Sequence, residues 1–228
     1  MTSIEVLIYV LAFAIQIYGD FSGYSNIARG LAKFFGVELM VNFRQPYLSR
    51  NPSDFWQRWH ISLSSWFRDY LYMPLGGNRK GIFYTCRNLT ITMFLAGLWH
   101  GAAWNFVLWG VYQGVLLAGY HGLSLMVPLH KFKSMVMDVL SRIFMFLLVL
   151  YGWLIFRVKD MAQLKYLTVQ LFPNFHLPNE RFLDTFKINT FWVVLFFLIT
   201  LAVTLFWKGI RADVFLIFIN FRIIYGLF

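Results

Sequence analysis

Cysteine is almost absent from this chain, acidic residues are few, and charge of either sign is sparse. A single thiol, Cys86, in 228 residues excludes an intramolecular disulfide and any CxxC or cysteine-rich metal site. Charged residues make up 13% of the chain, against roughly 25% in soluble domains, while apolar residues reach 59% and aromatic ones 21%. With a mean hydropathy of +0.61, the main solvent of this chain is lipid. Ten Asp and Glu stand against 20 Lys and Arg, a net charge of +10. The 26 Phe and 9 Trp are spread through apolar runs rather than set beside basic clusters. The surplus positive charge therefore belongs at a phospholipid surface, and no nucleic-acid partner is expected. Fixed-period repeats, low-complexity tracts and linker-like segments are lacking. The start, Met1-Thr-Ser-Ile-Glu5, has no basic n-region of a secretory signal, so the apolar stretch behind it is expected to be retained.

What is present is a set of long intervals without charge. Between Arg87 and Lys131 lie 43 residues free of Asp, Glu, Lys and Arg. As one helix they would run about 64 Å, twice a hydrocarbon core of about 30 Å. This stretch must bend, re-enter or cross twice, and Gly97, Gly101, Gly110, Gly114 and Gly119 offer places for a break or for close helix contact. Ile188–Trp207 fits one crossing, as does Ile143–Phe156 with Arg142 and Arg157 snorkelling to the interfaces. Ile4–Tyr18 makes a shorter span ending on Gly19-Asp20, Val214–Ile224 is a further apolar candidate, and Pro173–Glu180 is a loop. The expected fold is all-α: a polytopic membrane helix bundle of about 5–6 membrane segments, forming one domain over residues 1–228. Residues 29–87 hold nine Lys and Arg against Glu38, Asp54 and Asp69, which assigns them to the cytoplasmic side. Within them, Asn51-Pro-Ser-Asp54 has helix-start chemistry, and Trp56, His60, Leu63, Phe67 and Leu71 follow at helical spacing. Together these predict an interfacial or re-entrant amphipathic helix. Pro74–Gly81 reads as a turn carrying Arg79 and Lys80.

Two of the five histidines are set apart by their surroundings: His60 on the amphipathic helix and His100 inside the uncharged stretch, each preceded by a tryptophan. An ionisable ring at membrane depth needs partners or a task, so it is either a functional group or a hydrogen-bonded packing residue. His121, His130 and His176 fall near span ends or in loops and read as solvated. A metal pair is disfavoured, since there is no HExxH and no i,i+4 histidine pair. No GxSxG elbow occurs and Cys86 is far in sequence from either histidine, which disfavours a covalent nucleophile. A neutral imidazole acting as general base fits a low-dielectric site, because burial favours the form that accepts a proton. Asp20 either orients such a base or caps the Ser22-Gly-Tyr24 segment. Gly76–Lys80 is a surface turn before it is a phosphate site.

Several segments in order resemble one family. Asp20-Phe-Ser-Gly-Tyr-Ser25, Asn42-Phe-Arg-Gln-Pro-Tyr47, Phe55-Trp-Gln-Arg-Trp-His-Ile-Ser-Leu-Ser64, Arg68-Asp-Tyr-Leu-Tyr72, Pro74-Leu-Gly-Gly-Asn-Arg79 and Gly97-Leu-Trp-His-Gly-Ala102 look like successive motifs of the membrane-bound O-acyltransferases. The likeness is greatest to the bacterial alginate O-acetyltransferase branch, is dense from about residue 15 to 120, and extends to Phe156-Arg157. It implies a multi-pass enzyme of the bacterial inner membrane that passes an acyl group, usually acetyl, from a cytoplasmic thioester such as acetyl-CoA toward a hydroxyl of an exported polysaccharide or other envelope acceptor. It implies no tightly bound cofactor, and a periplasmic acetyltransferase as partner. The family's essential intramembrane histidine falls on His100 and its second motif histidine on His60, with Asp20, Trp99, Arg68 and Asp69 as supporting site residues. The likeness is to the C-terminal half of the family's fold, which implies either further spans upstream or a partner chain completing the bundle. Two other readings compete: a non-catalytic membrane scaffold that channels acyl groups to a separate transferase, and a small transporter. The latter lacks the matched interrupted spans of an internal repeat.

Overall fold

A computed structural model describes residues 1–126, 134–172 and 184, and among them every regular element is helical. Seven α-helices follow in order: α1 (Ser3–Phe34), α2 (Pro52–Trp56), α3 (Ile61–Phe67), α4 (Ile82–His100), α5 (Trp104–Met126), α6 (Met135–Arg157) and α7 (Met161–Gln170). A 3-10 turn at Pro46–Leu48 precedes α2 and a π-helical turn at Arg68–Tyr72 follows α3. The described residues fall into two compact units, one of residues 1–41 with those from 166 onward, the other of residues 42–165.

In the first unit, Thr2 and Glu5 form a capping box that starts α1. The Thr2 hydroxyl accepts from the Glu5 amide, and the Glu5 carboxylate accepts from the Thr2 amide at 3.0 Å. The Met1 ammonium donates to Tyr166 Oη at 2.7 Å and Ser3 Oγ to the Gln170 carbonyl at 2.6 Å, which ties the chain start to the end of α7. The predicted span over Ile4–Tyr18 is corrected here: α1 does not stop at Gly19-Asp20 but continues to Phe34. Gly19, Gly23 and Gly30 inside the helix cost only about 1 kcal/mol each, and with no proline nearby nothing ends the helix before Gly36, which takes the left-handed φ of +71°. Leu11, Ile15, Ile27 and Leu31 remain exposed on α1, as suits a lipid-facing surface.

In the second unit the single amphipathic helix predicted from Asn51 onward is two helices. Asn51 caps α2 by accepting from the Asp54 amide at 2.8 Å, and Pro52 occupies the first turn, as the sequence requires. The helix then breaks at Gln57–His60 and restarts as α3. The reason lies twenty residues upstream: Asn42 accepts the Ile61 amide on its backbone carbonyl at 3.0 Å and the Ser62 amide on Oδ1 at 3.0 Å. These are donors that a continuous helix would have turned inward.

The 43-residue uncharged stretch opens with α4, breaks at Gly101-Ala-Ala103 and returns antiparallel as α5. Three glycines let the two backbones touch. A Cβ on Gly97 would run into the Phe106 carbonyl and stand 3.0 Å from Gly110 Cα; one on Gly110 would strike the Met93 carbonyl; one on Gly114 would stand 2.8 Å from Thr90 Cα. Small residues at a helix crossing give van der Waals contact in lipid, where the hydrophobic effect offers helices nothing. At the other end of α4, the buried Asn88 amide donates to the carbonyls of Leu75 (3.1 Å) and Gly77 (2.9 Å), which holds the predicted turn against the helix. Polar contacts join α5 to α6: Asn105 Nδ2 donates to the Phe156 carbonyl at 3.1 Å and Tyr112 Oη to the Leu148 carbonyl at 2.9 Å.

Among the described residues, two helices are long and apolar enough to cross a membrane, α1 and α6, the latter containing the predicted Ile143–Phe156 span. The predictions over Pro173–Glu180, Ile188–Trp207 and Val214–Ile224, and those for His130 and His176, lie outside the described residues.

Candidate active site

His60 sits at the break between α2 and α3 with φ 42° and ψ 58°, a left-handed conformation shared by only one other non-glycine among the described residues, Gln45. Such a conformation costs of order 1–3 kcal/mol in a bulky residue and persists where the surroundings enforce it. Here they do: Asn42 fixes the next two amides, the Arg44 amide donates to the Arg58 carbonyl at 3.0 Å, and Arg58 pairs with Asp54 one turn back at 2.6 Å. The break takes His60 out of the continuous helix that its spacing in the sequence suggested. Outside the two candidate spans, His60 meets partial burial first and the His100 imidazole second, and together they push its pKa down to about 4. At neutral pH it is uncharged, and the two histidines that the sequence singled out are electrostatic neighbours.

His100 is the last residue of α4, half-buried, and Gly101 after it has no room for a side chain because a Cβ would stand 2.8 Å from the Phe106 ring. Its walls are aromatic. Trp109 of α5 stands perpendicular to the imidazole with ring centroids 5.2 Å apart, Phe156 of α6 lies at 5.1 Å and 84°, and Phe106 lies at 6.3 Å. Behind them Trp109 meets Trp56 at 5.9 Å and Trp153 at 6.4 Å, while Trp59 packs on Trp153 at 4.8 Å. One aromatic layer thus runs from the His60 break to His100. A neutral imidazole in so apolar a setting can accept a proton from a hydroxyl held against it.

The other predicted site residues are placed differently. Trp99 touches the imidazole that follows it, with centroids 5.1 Å apart, but is 61% exposed and faces outward from the layer. Arg68 and Asp69 form a two-pronged pair with each other at 2.7 and 3.0 Å on the exposed π-helical turn, and the guanidinium holds the Asp69 carboxyl below the usual carboxylate range. Asp20 belongs to the first unit, inside α1, where it shares a hydrogen bond with Gln16 one turn earlier. With α1 unbroken, Asp20 has no helix start to cap. Trp109, Trp153, Phe106 and Phe156 as walls of the site were not read from the sequence. A usable signal was there: Phe106, Trp109 and Gln113 recur at helical spacing directly after the His100 break.

The sequence profile of the membrane-bound O-acyltransferase family matches residues 4–159. Among curated proteins, the chain is similar to a probable alginate O-acetylase AlgI of Pseudomonas putida, 50% identical over 151 residues that make up 66% of this chain and 30% of that protein. It is also similar to a peptidoglycan O-acetyltransferase of Helicobacter pylori, 37% identical over 161 residues, 71% of this chain and 30% of that protein. A teichoic acid D-alanyltransferase of Bacillus subtilis is 36% identical over 122 residues, 50% of this chain and 31% of that protein. The matched part thus spans about a third of the length of these relatives, and the family profile's range contains His60, His100, Trp109 and Phe156. The all-helical fold, the apolar exposed faces and a match running through both histidines converge: this chain belongs to the membrane-bound O-acyltransferase family.

Proposed function

We propose that this chain takes part in O-acyl transfer in a bacterial inner membrane, moving an acetyl group from a cytoplasmic thioester such as acetyl-CoA toward a hydroxyl of an exported polysaccharide or another envelope polymer. The observation that carries the reading is His100 at the end of α4, walled by aromatic rings and within electrostatic range of His60. His100 serves as general base and takes the proton of the attacking hydroxyl. His60, uncharged at neutral pH, positions the acceptor or His100 itself. Relatives are named for alginate, peptidoglycan and teichoic acid, all hydroxyl-bearing polymers, which supports an acceptor of that class. The bundle in this reading has about 5–6 membrane segments and is multi-pass, with residues 29–87 toward the cytoplasm. A periplasmic acetyltransferase and the remaining segments typical of longer relatives complete the system.

A well-placed base contributes about 10²–10⁴-fold. H100A and H100Q therefore lower the release of CoA thiol from acetyl-CoA, and the acetylation of added alginate, by about that factor at unchanged membrane abundance. A scaffold that hands acyl groups to a separate transferase tolerates both substitutions, so full activity in H100Q refutes the catalytic reading.

A further inference from the structure

Three indole N–H groups in the aromatic layer, on Trp56, Trp109 and Trp153, are buried and find no acceptor among the described residues. Trp109 is 1% exposed and Trp153 2%. An unmade hydrogen bond on a buried donor costs about 1–3 kcal/mol, and phenylalanine would fill much of the same space without that cost. The neighbouring donors of α5 do not share this state: one turn before Trp109 the Asn105 amide reaches the Phe156 carbonyl, and one turn after it the Tyr112 hydroxyl reaches the Leu148 carbonyl. Helix α5 satisfies its polar groups on both sides of Trp109 and leaves open the one whose ring stands against His100. Trp56 and Trp153 pack on Trp109, and of the three it is Trp109 whose ring packs against the imidazole.

We propose that the Trp109 indole N–H donates a hydrogen bond to the acyl carbonyl oxygen, making Trp109 a catalytic residue of the transfer. The inference rests on the acyl-transfer reading. The two rings meet edge to face with centroids 5.2 Å apart, so an acyl group brought to the imidazole lies beside the indole. As the acceptor hydroxyl oxygen bonds to the thioester carbon, its proton passes to the His100 imidazole and the carbonyl π pair moves onto oxygen. The Trp109 N–H stabilises that oxyanion. When the carbonyl re-forms, the C–S bond breaks, and the thiolate takes the proton from the imidazolium, leaving an ester and a free thiol. A donor aimed at developing charge in a dry site acts more strongly in the transition state than on the neutral thioester.

W109F keeps an aromatic ring of similar shape and removes only the donor. The expected result is a fall in kcat of about 10²–10³-fold per inserted molecule, with the KM for acetyl-CoA little changed. Wild-type kcat in W109F overturns the inference, as does a loss confined to KM. A second measurement does not depend on turnover: infrared difference spectra of acetyl-CoA labelled with ¹³C at the carbonyl, bound to the H100A chain. The carbonyl band is expected at lower wavenumber than in an apolar solvent, and to move up again in the H100A/W109F chain. If W109F fails to accumulate, the H100A band alone decides, and a band at the apolar-solvent position refutes the inference. A wild-type chain that acylates nothing sinks the acyl-transfer reading itself, whereas equal transfer by wild type and W109F sinks only the role of Trp109.

Discussion

At the scale of single residues the site is defined by what its groups are denied. His60 is denied a proton: its pKa of about 4 lies below the ordinary imidazole value of 6.5 because burial, aided by His100, disfavours the cation. The consequence for stability has a definite sign. An unfolded chain takes up this proton near pH 6.5 and the folded one only near 4, so the His60 contribution is complete above pH 6.5 and is lost as pH falls toward 4. Thermal inactivation of the detergent-solubilised chain, followed from pH 7.5 down to 4.5, is expected to show a steeper acid loss in wild type than in H60Q. Identical slopes would mean that the imidazole titrates normally. His100 stood out in the sequence because an ionisable residue in an apolar run is conspicuous by itself, and His60 because it follows a tryptophan on an amphipathic helix. Trp109 and Phe156 did not, since a tryptophan or phenylalanine in such a run is ordinary, and only the return of α5 and the arrival of α6 bring these rings to His100.

At the scale of elements, the α4–α5 hairpin sets the geometry. Its glycine seam leaves the neighbouring backbone nowhere to move when a methyl group is added, and overpacking of that kind costs about 1–3 kcal/mol. G97A and G110A are each expected to lower the thermal midpoint by several degrees and to reduce activity through the displaced Trp109 ring. G119A, on the same α5 but with nothing within 4 Å of the new methyl, should match wild type within about 0.5 kcal/mol. Equal effects at positions 97 and 119 would remove the seam from the argument. The bend in the uncharged stretch was readable, because length alone forbids a single straight crossing. The length of α1 and the split between α2 and α3 were not. The first turns on how little each glycine costs inside a helix, the second on Asn42 capturing two amides from a distant part of the chain. Local spacing carries no record of such a partner.

At the scale of the whole molecule, the sparse charge becomes a statement about sidedness. Nine of the 20 basic residues lie within residues 29–87, and the Asn88 clamp presents Arg79 and Lys80 on a fixed exposed turn. If this region faces the cytoplasm, a single thiol at that turn, R79C in a C86S background, is labelled by a membrane-impermeant maleimide in inverted vesicles and not in intact spheroplasts. Labelling in spheroplasts alone would reverse the orientation and place the thioester donor on the wrong side of the site. The all-helical class and the membrane setting were accessible from composition, since no other solvent tolerates so many apolar residues with so few charges.

The hairpin also bears on synthesis. Its two helices are joined by three residues and meet closely at three glycines, so they can fasten to each other as soon as both have left the ribosome, while Trp153 and Phe156 are still to be translated. The His100 ring is therefore born with one wall open, and α6, the fourth long helix among the described residues, closes it.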